Sequence, residues 1–140
     1  MTSPATSPVH DLASHDSFST WMGVKIIELS TNYSRISMEV RKDMMNGFGT
    51  LHGGITFALA DTAFGYASNW EGKINVALDA SITFTHPAKE GDTLIAEARC
   101  LNSTRKTGLY RVDISNSQQQ IVAAFQATCY KTDKPHPGKQ

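Results

Sequence analysis

The chain has 140 residues, 13 basic against 13 acidic side chains, and 40% hydrophobic residues. That length suits one domain with one core. The charge balance argues against a nucleic-acid partner or a basic membrane-binding face.

Met1 to His15 is rich in Ser, Thr, Pro, Ala and His and lacks the apolar stretch of a secretory signal. Residues 1–15 read as a flexible N-terminal tail and residues 132–140, with Pro135, Pro137 and Gly138, as a C-terminal one. The domain is then 16–131. Asp16 can cap a short helix through Trp21 that Gly23 stops. Val24 to Leu29 reads as a strand, Ser30-Thr31-Asn32 as a turn, and Ser34, Ile36, Met38 and Val40 as the alternating face of a second strand.

From Met44 to Trp70 the only formally charged residue is Asp61. The run Ile55 to Ala67 around it is apolar on all sides, the pattern of a buried helix. It is too short to span a membrane. Four further strands follow, with alternating faces Leu78-Ala80-Ile82-Phe84, Leu94-Ala96-Ala98-Cys100, Tyr110-Val112-Ile114 and Ile121-Ala123-Phe125-Ala127-Cys129. Pro87 and Gly91-Asp92, Asn102 to Lys106 and Asn116 to Gln120 mark the turns. One long apolar helix among many antiparallel strands is an α+β arrangement, solved most economically by a sheet curled around the helix. Cys100 and Cys129 read as buried thiols. The expected location is the cytoplasm.

Ahead of the helix lies Asn46-Gly47-Phe48-Gly49-Thr50-Leu51-His52-Gly53-Gly54. Bare backbone N–H groups at a helix start, near an acid held in apolar surroundings, suit attack on an activated carbonyl. The amides of Gly53 and Gly54 would stabilise the oxyanion, and Asp61 would act as general base or nucleophile. The Asn46 amide could orient the acid, the water or the carbonyl. Ala58 and Gly65, on the Asp61 face, leave room for a ligand. Desolvation should raise the Asp61 pKa and a facing helix N-terminus should lower it.

Asp61 lies eight residues beyond Gly53, roughly 12 Å along a helix axis. The two features therefore meet between subunits of a two-fold dimer or are unrelated. Each element also has a structural reading. Asp61 could serve a buried network, Gly53-Gly54 close packing, His52 backbone positioning, and Asn46-Gly47 a turn. No G-x-S-x-G elbow, Walker or dinucleotide-binding glycine pattern is present, and His10, His15, His52, His86 and His136 lack metal-ligand spacing.

Asn46-Gly47, His52-Gly53-Gly54 and Leu59-Ala60-Asp61-Thr62-Ala63-Phe64 together resemble the hotdog-fold acyl-CoA thioesterases of the phenylacetic-acid-degradation (PaaI) type. So do Phe84-Thr85-His86-Pro87-Ala88 before Gly91-Asp92, and Lys106-Thr107-Gly108-Leu109-Tyr110. The likeness runs from about Asp16 to Tyr130. It implies a hotdog fold, an antiparallel sheet wrapped around one central helix. It also implies a homodimer as the catalytic unit, usually paired into a homotetramer, and hydrolysis of an acyl-CoA to acid and CoA without metal or organic cofactor.

By position the resemblance makes Asp61 the nucleophile or base, Gly53 the oxyanion donor from the facing subunit, Asn46 an assisting polar residue and His52 a support. Gly54 and Thr62 would border the substrate, with Thr62 holding water, and Arg105 or Lys106 would touch the nucleotide. Some related enzymes carry a serine where this chain has Ala77. Phenylacetyl-CoA or its ring-hydroxylated relatives are the implied substrates. The alternatives are a hotdog enoyl- or hydroxyacyl-CoA dehydratase using His52 and Asp61, and a non-catalytic acyl-CoA-binding module.

Overall fold

Apolar residues at every second position drive nearly half of the chain into one sheet. The computed structural model describes residues 7–137. Its strands are β1 (Lys25–Ser30), β2 (Tyr33–Glu39), β3 (Lys73–Phe84), β4 (Thr93–Ser103), β5 (Thr107–Ser115) and β6 (Ile121–Pro135). They form a six-stranded antiparallel sheet in the order β1-β2-β4-β5-β6-β3. Two helices, α1 (Pro8–Ser14) and α2 (Ser17–Met22), precede it, and α3 (Gly53–Ser68) lies against it, touching all six strands. The expected wrapped α+β architecture is present.

The buried face of the sheet follows the alternation. Ser34, Ile36 and Met38 of β2, Leu94, Ala96 and Ala98 of β4, and Tyr110, Val112 and Ile114 of β5 face Leu59, Ala63 and Phe64 of α3 in a single core. Phe125 of β6 is 1% exposed and meets Phe57 and Phe64 at 5.4 and 6.1 Å between ring centroids. Ser34 donates to the Ala63 carbonyl at 2.6 Å, so the buried hydroxyl is satisfied. Asp16 caps α2 by accepting from the Ser19 N–H, and Gly23 ends it at φ 75°, as the sequence indicates.

Five expectations change. The N-terminal tail expected through His15 is instead helical at Pro8–Ser14: Ser7 caps the helix, Pro stands at its first turn, and Val9 is fully buried. Ser-Pro in a polar stretch was a helix start. The C-terminal tail expected from residue 132 begins later, because β6 continues to Pro135, paired to Lys73. The parts of both tails at residues 1–6 and 138–140 lie outside the described residues. The Leu78-Ala80-Ile82-Phe84 face of β3 is core only at Ile82: Leu78 is 59% and Phe84 53% exposed, because nothing among the described residues covers that face there. Finally, α3 is not buried all round. Gly54, Phe57 and Asp61 form an exposed stripe at helical spacing, so the apolar pattern there marks an uncovered face. Cys129 is buried, while Cys100 is only half-buried; both are free thiols.

Candidate active site

The glycine-rich loop is built by Asn46. Its Oδ1 accepts the N–H groups of Phe48 and Thr50 at 2.9 and 3.1 Å, and its Nδ2 donates to Thr50 Oγ1 at 3.0 Å. Its backbone N–H donates to the Thr50 carbonyl at 2.8 Å, and Gly49 turns the chain at φ 81°. The Leu51 N–H then donates to Ala88 and that of His52 to Met44, which fixes the point where α3 begins.

His52 caps α3. Its Nδ1 accepts the Gly54 N–H at 2.9 Å, so Nδ1 is the unprotonated ring nitrogen. The Ile55 and Thr56 N–H groups both donate to the His52 carbonyl. Of the first four amides of the helix, the Gly53 N–H alone has no partner among the described residues. The Phe84 ring covers the Cα of Gly53; a Cβ there would stand 3.2 Å from its Cζ. Gly53 and Asn46 border one cavity of about 380 Å³ with Thr56, Phe84 and His86.

Asp61 opens into a different cavity, of about 550 Å³. Ala58, Thr62, Gly65 and Tyr66 of α3 form its floor, and α1 and α2 rise beside it. A Cβ on Gly65 would meet nothing within 4 Å, which is the room the sequence suggested. The carboxylate belongs to none of the ion pairs among the described residues and accepts no hydrogen bond from them. The residue is exposed and also lines the cavity. Desolvation, and then the negative charge of Asp16, push its pKa above the usual carboxylate value. Thr62 Oγ1 donates to the Ala58 carbonyl at 2.8 Å and lies 3.4 Å from Ser19 Oγ.

Asp16, Ser19 and Tyr66 were not singled out as site residues, yet they line the same cavity. Asp16 Oδ2 accepts from Ser19 Oγ at 2.5 Å and from the Tyr66 hydroxyl at 3.2 Å. Tyr66 is pushed up to about 12, chiefly by burial, and so remains a donor at neutral pH. Asp16 looked only like a helix cap, and nothing in the sequence tied it to Tyr66 fifty positions later.

Within one protomer, then, Asn46, His52, Gly53 and Gly54 gather at the start of α3, and Asp61 and Thr62 stand apart on its middle. Arg105 joins neither group. It lines a third, polar cavity of about 260 Å³ with Lys73 and Lys131, and Lys106 Nζ sits 5.7 Å from the Tyr130 ring centroid. Ala77 is exposed on β3, opposite Cys129.

Residues 48–123 match the thioesterase superfamily, and the chain belongs to that family of thioester hydrolases. Acyl-coenzyme A thioesterase PaaI of Escherichia coli is 36% identical over 94% of this chain and 94% of its own. The structure of the E. coli PaaI protein, from the phenylacetic acid degradation operon, superposes with a TM-score of 0.89 at 35% identity, covering 91% of this chain and 93% of that one. A Streptococcus mutans protein solved bound to acetyl-CoA is 30% identical with a TM-score of 0.77, over 81% and 91% of the two chains. These likenesses bear out the hotdog fold that the resemblance implied.

Proposed function

We propose that this protein hydrolyses an acyl-CoA thioester, with phenylacetyl-CoA or a ring-hydroxylated relative as substrate, at two equivalent sites between the protomers of a homodimer. The observation that carries this reading is the separation just described. One protomer offers an unpaired amide at Gly53 and an unpaired carboxylate at Asp61, in different cavities. A two-fold partner would bring the Gly53 of one chain to the Asp61 of the other.

The edge strand supports the partnership. β3 is 12 residues long and, among the described residues, has no neighbour on its outer side. It exposes Val76, Leu78 and Phe84, while Phe57 of α3 is 36% exposed. A long apolar edge of this kind invites pairing with a second copy. Two such dimers would form the homotetramer, and the expected setting is the cytoplasm. Among the described residues no helix is long and apolar enough to cross a membrane.

In the reaction, the Gly53 N–H of one subunit donates to the thioester oxygen, and Asp61 of the other removes a proton from water as its oxygen bonds to the carbonyl carbon. The tetrahedral intermediate collapses, the C–S bond breaks, and the CoA thiolate takes a proton. Alternatively the Asp61 carboxylate attacks first and water then opens the anhydride. Asn46 acts through the loop it holds, His52 through the cap, Gly54 by closing the helix start and Thr62 by positioning water. Arg105 or Lys106 would meet the CoA phosphates. The tie between His52 Nδ1 and the helix cap counts against a dehydratase acid–base pair.

Free-thiol release over aryl, short-chain and long-chain CoA esters tests this reading. Hydrolysis led by arylacetyl esters is expected. Tight binding without thiol release would make the protein a binding module, and conversion without thiol release a hydratase.

A further inference from the structure

The Asp61 cavity is lined in part by the two segments that the sequence reads as tails, and by Phe18. Leu12 and His15 come from α1 and its end, Phe18 from α2, and Pro137 from just beyond β6. Its apolar lining is Leu12, Phe18, Ala58 and Pro137, around the carboxylate that must face a thioester carbonyl. The group bonded to that carbonyl would lie against these residues.

Both bounding segments are fastened at one place. The His136 N–H donates to the Gly72 carbonyl at 2.8 Å. His136 Nε2 stands 3.2 Å from Asn69 Oδ1, which also accepts the Asn75 N–H at 2.9 Å. An amide oxygen can only accept, so Nε2 carries the proton. On the same residue, a Cβ at Gly72 would lie 3.3 Å from Pro8 Cγ, so α1 starts directly over it. Gly72 has φ 86°, which favours glycine there. Thr132 Oγ1 adds a bond to the Ile74 carbonyl at 2.5 Å. Pro137 is itself exposed, so its place in the wall depends on the His136 anchor.

We propose that α1, Phe18 and the His136–Pro137 segment form an acyl-selecting wall, clipped together at Gly72 and Asn69, that sets the size of the acyl group admitted beside Asp61. The proposal rests on the thioesterase reading and deepens it. Phe18 and Pro137 are the selecting contacts, and His136 is a positioning residue that never touches substrate. Opening the wall removes contacts from a compact ring and gives a longer chain an exit toward solvent.

The test compares kcat/KM for decanoyl-CoA and phenylacetyl-CoA in the wild-type protein, Phe18→Ala, His136→Ala and His136→Gln. Affinities for the matching non-hydrolysable thioethers of CoA are measured alongside. Both alanine variants should raise the decanoyl-to-phenylacetyl ratio by roughly tenfold, the scale of a lost apolar contact. His136→Gln, whose Nε2 amide can still donate to Asn69, should stay near wild type. Ratios within twofold of wild type in both alanine variants, or a glutamine variant as altered as alanine, would overturn the wall. If no ester releases thiol in the wild type, the thioesterase reading falls, and the thioether affinities alone then decide for or against the wall by the same comparison.

Discussion

His52 Nδ1 accepts the Gly54 N–H at 2.9 Å, and by occupying that amide it leaves the Gly53 N–H as the single donor at the start of α3 unpaired among the described residues. The side chain is therefore a helix cap that sorts the amides of the first turn. Asparagine is a good cap and a poor general base. His52→Asn should thus retain stability and most turnover, whereas His52→Ala should lose about 1 kcal/mol of stability. Thermal melts and thiol-release kinetics of the two variants check this. A loss of turnover in His52→Asn as large as in an Asp61 variant would mean that the ring does chemistry.

Asp61 should matter far more to rate than to folding. Asp61→Asn should cut kcat by about 10²- to 10⁴-fold, the range of a lost general base, with the oligomer intact. Stability should move the other way. The folded-state pKa is raised by desolvation and by Asp16, so the native protein holds this proton more tightly than the unfolded chain. Stability is then lost as pH rises through the folded pKa, and the ionised acid is a liability above it. Asp61→Asn should melt higher than wild type at pH 7, with the advantage vanishing below the ordinary aspartate pKa. Melts at the two pH values decide it.

The fold was legible in the sequence where one physical force decided. Except at the exposed Ile121 and the half-buried Cys100, period-two patterning in β2, β4, β5 and β6 matched burial because those strands sit inside the sheet with one face on α3. It failed in β3 and at Phe57 of α3 because an apolar residue reads the same against its own core or on an uncovered face. Val9 was missed because one anchor in a polar, Pro-containing segment has no period to detect. Of the site, the Asn46 to Gly54 loop and Asp61 stood out by composition. Asp16 and Tyr66 did not, since their meeting depends on how α2 docks on α3. The distance between Gly53 and Asp61 could be read beforehand because helix rise is fixed.

Asp16 should tune the site without touching the reacting carbon. It borders the Asp61 cavity, and its charge helps hold the Asp61 pKa up. Asp16→Asn removes the charge, while an amide oxygen can still accept from the Ser19 N–H. The acid limb of the kcat/KM profile should move to lower pH with the helix cap preserved. A pH–rate profile measured beside wild type checks the shift, and an unmoved acid limb would remove Asp16 from the electrostatics of the site.

The unpaired amide can be deleted with little change to the helix. Gly53 is the first residue of α3, a position that tolerates proline, and His52 before it has φ −60° and ψ 131°, the extended conformation proline demands of its predecessor. Gly53→Pro removes the N–H, and its Cβ would press on the half-exposed Phe84 side chain, which is free to shift. Loss of that donor should lower kcat by about 10²- to 10³-fold. Mixing inactive Gly53→Pro subunits with inactive Asp61→Ala subunits then tests the shared site. Random reassortment into two-fold dimers gives hybrids with one intact site each, so activity should recover to about a quarter of wild type. Mass spectrometry of the mixture establishes that hybrids have formed. Hybrids without recovered thiol release would place both groups in the same protomer's site, which the two separate cavities of a single chain oppose.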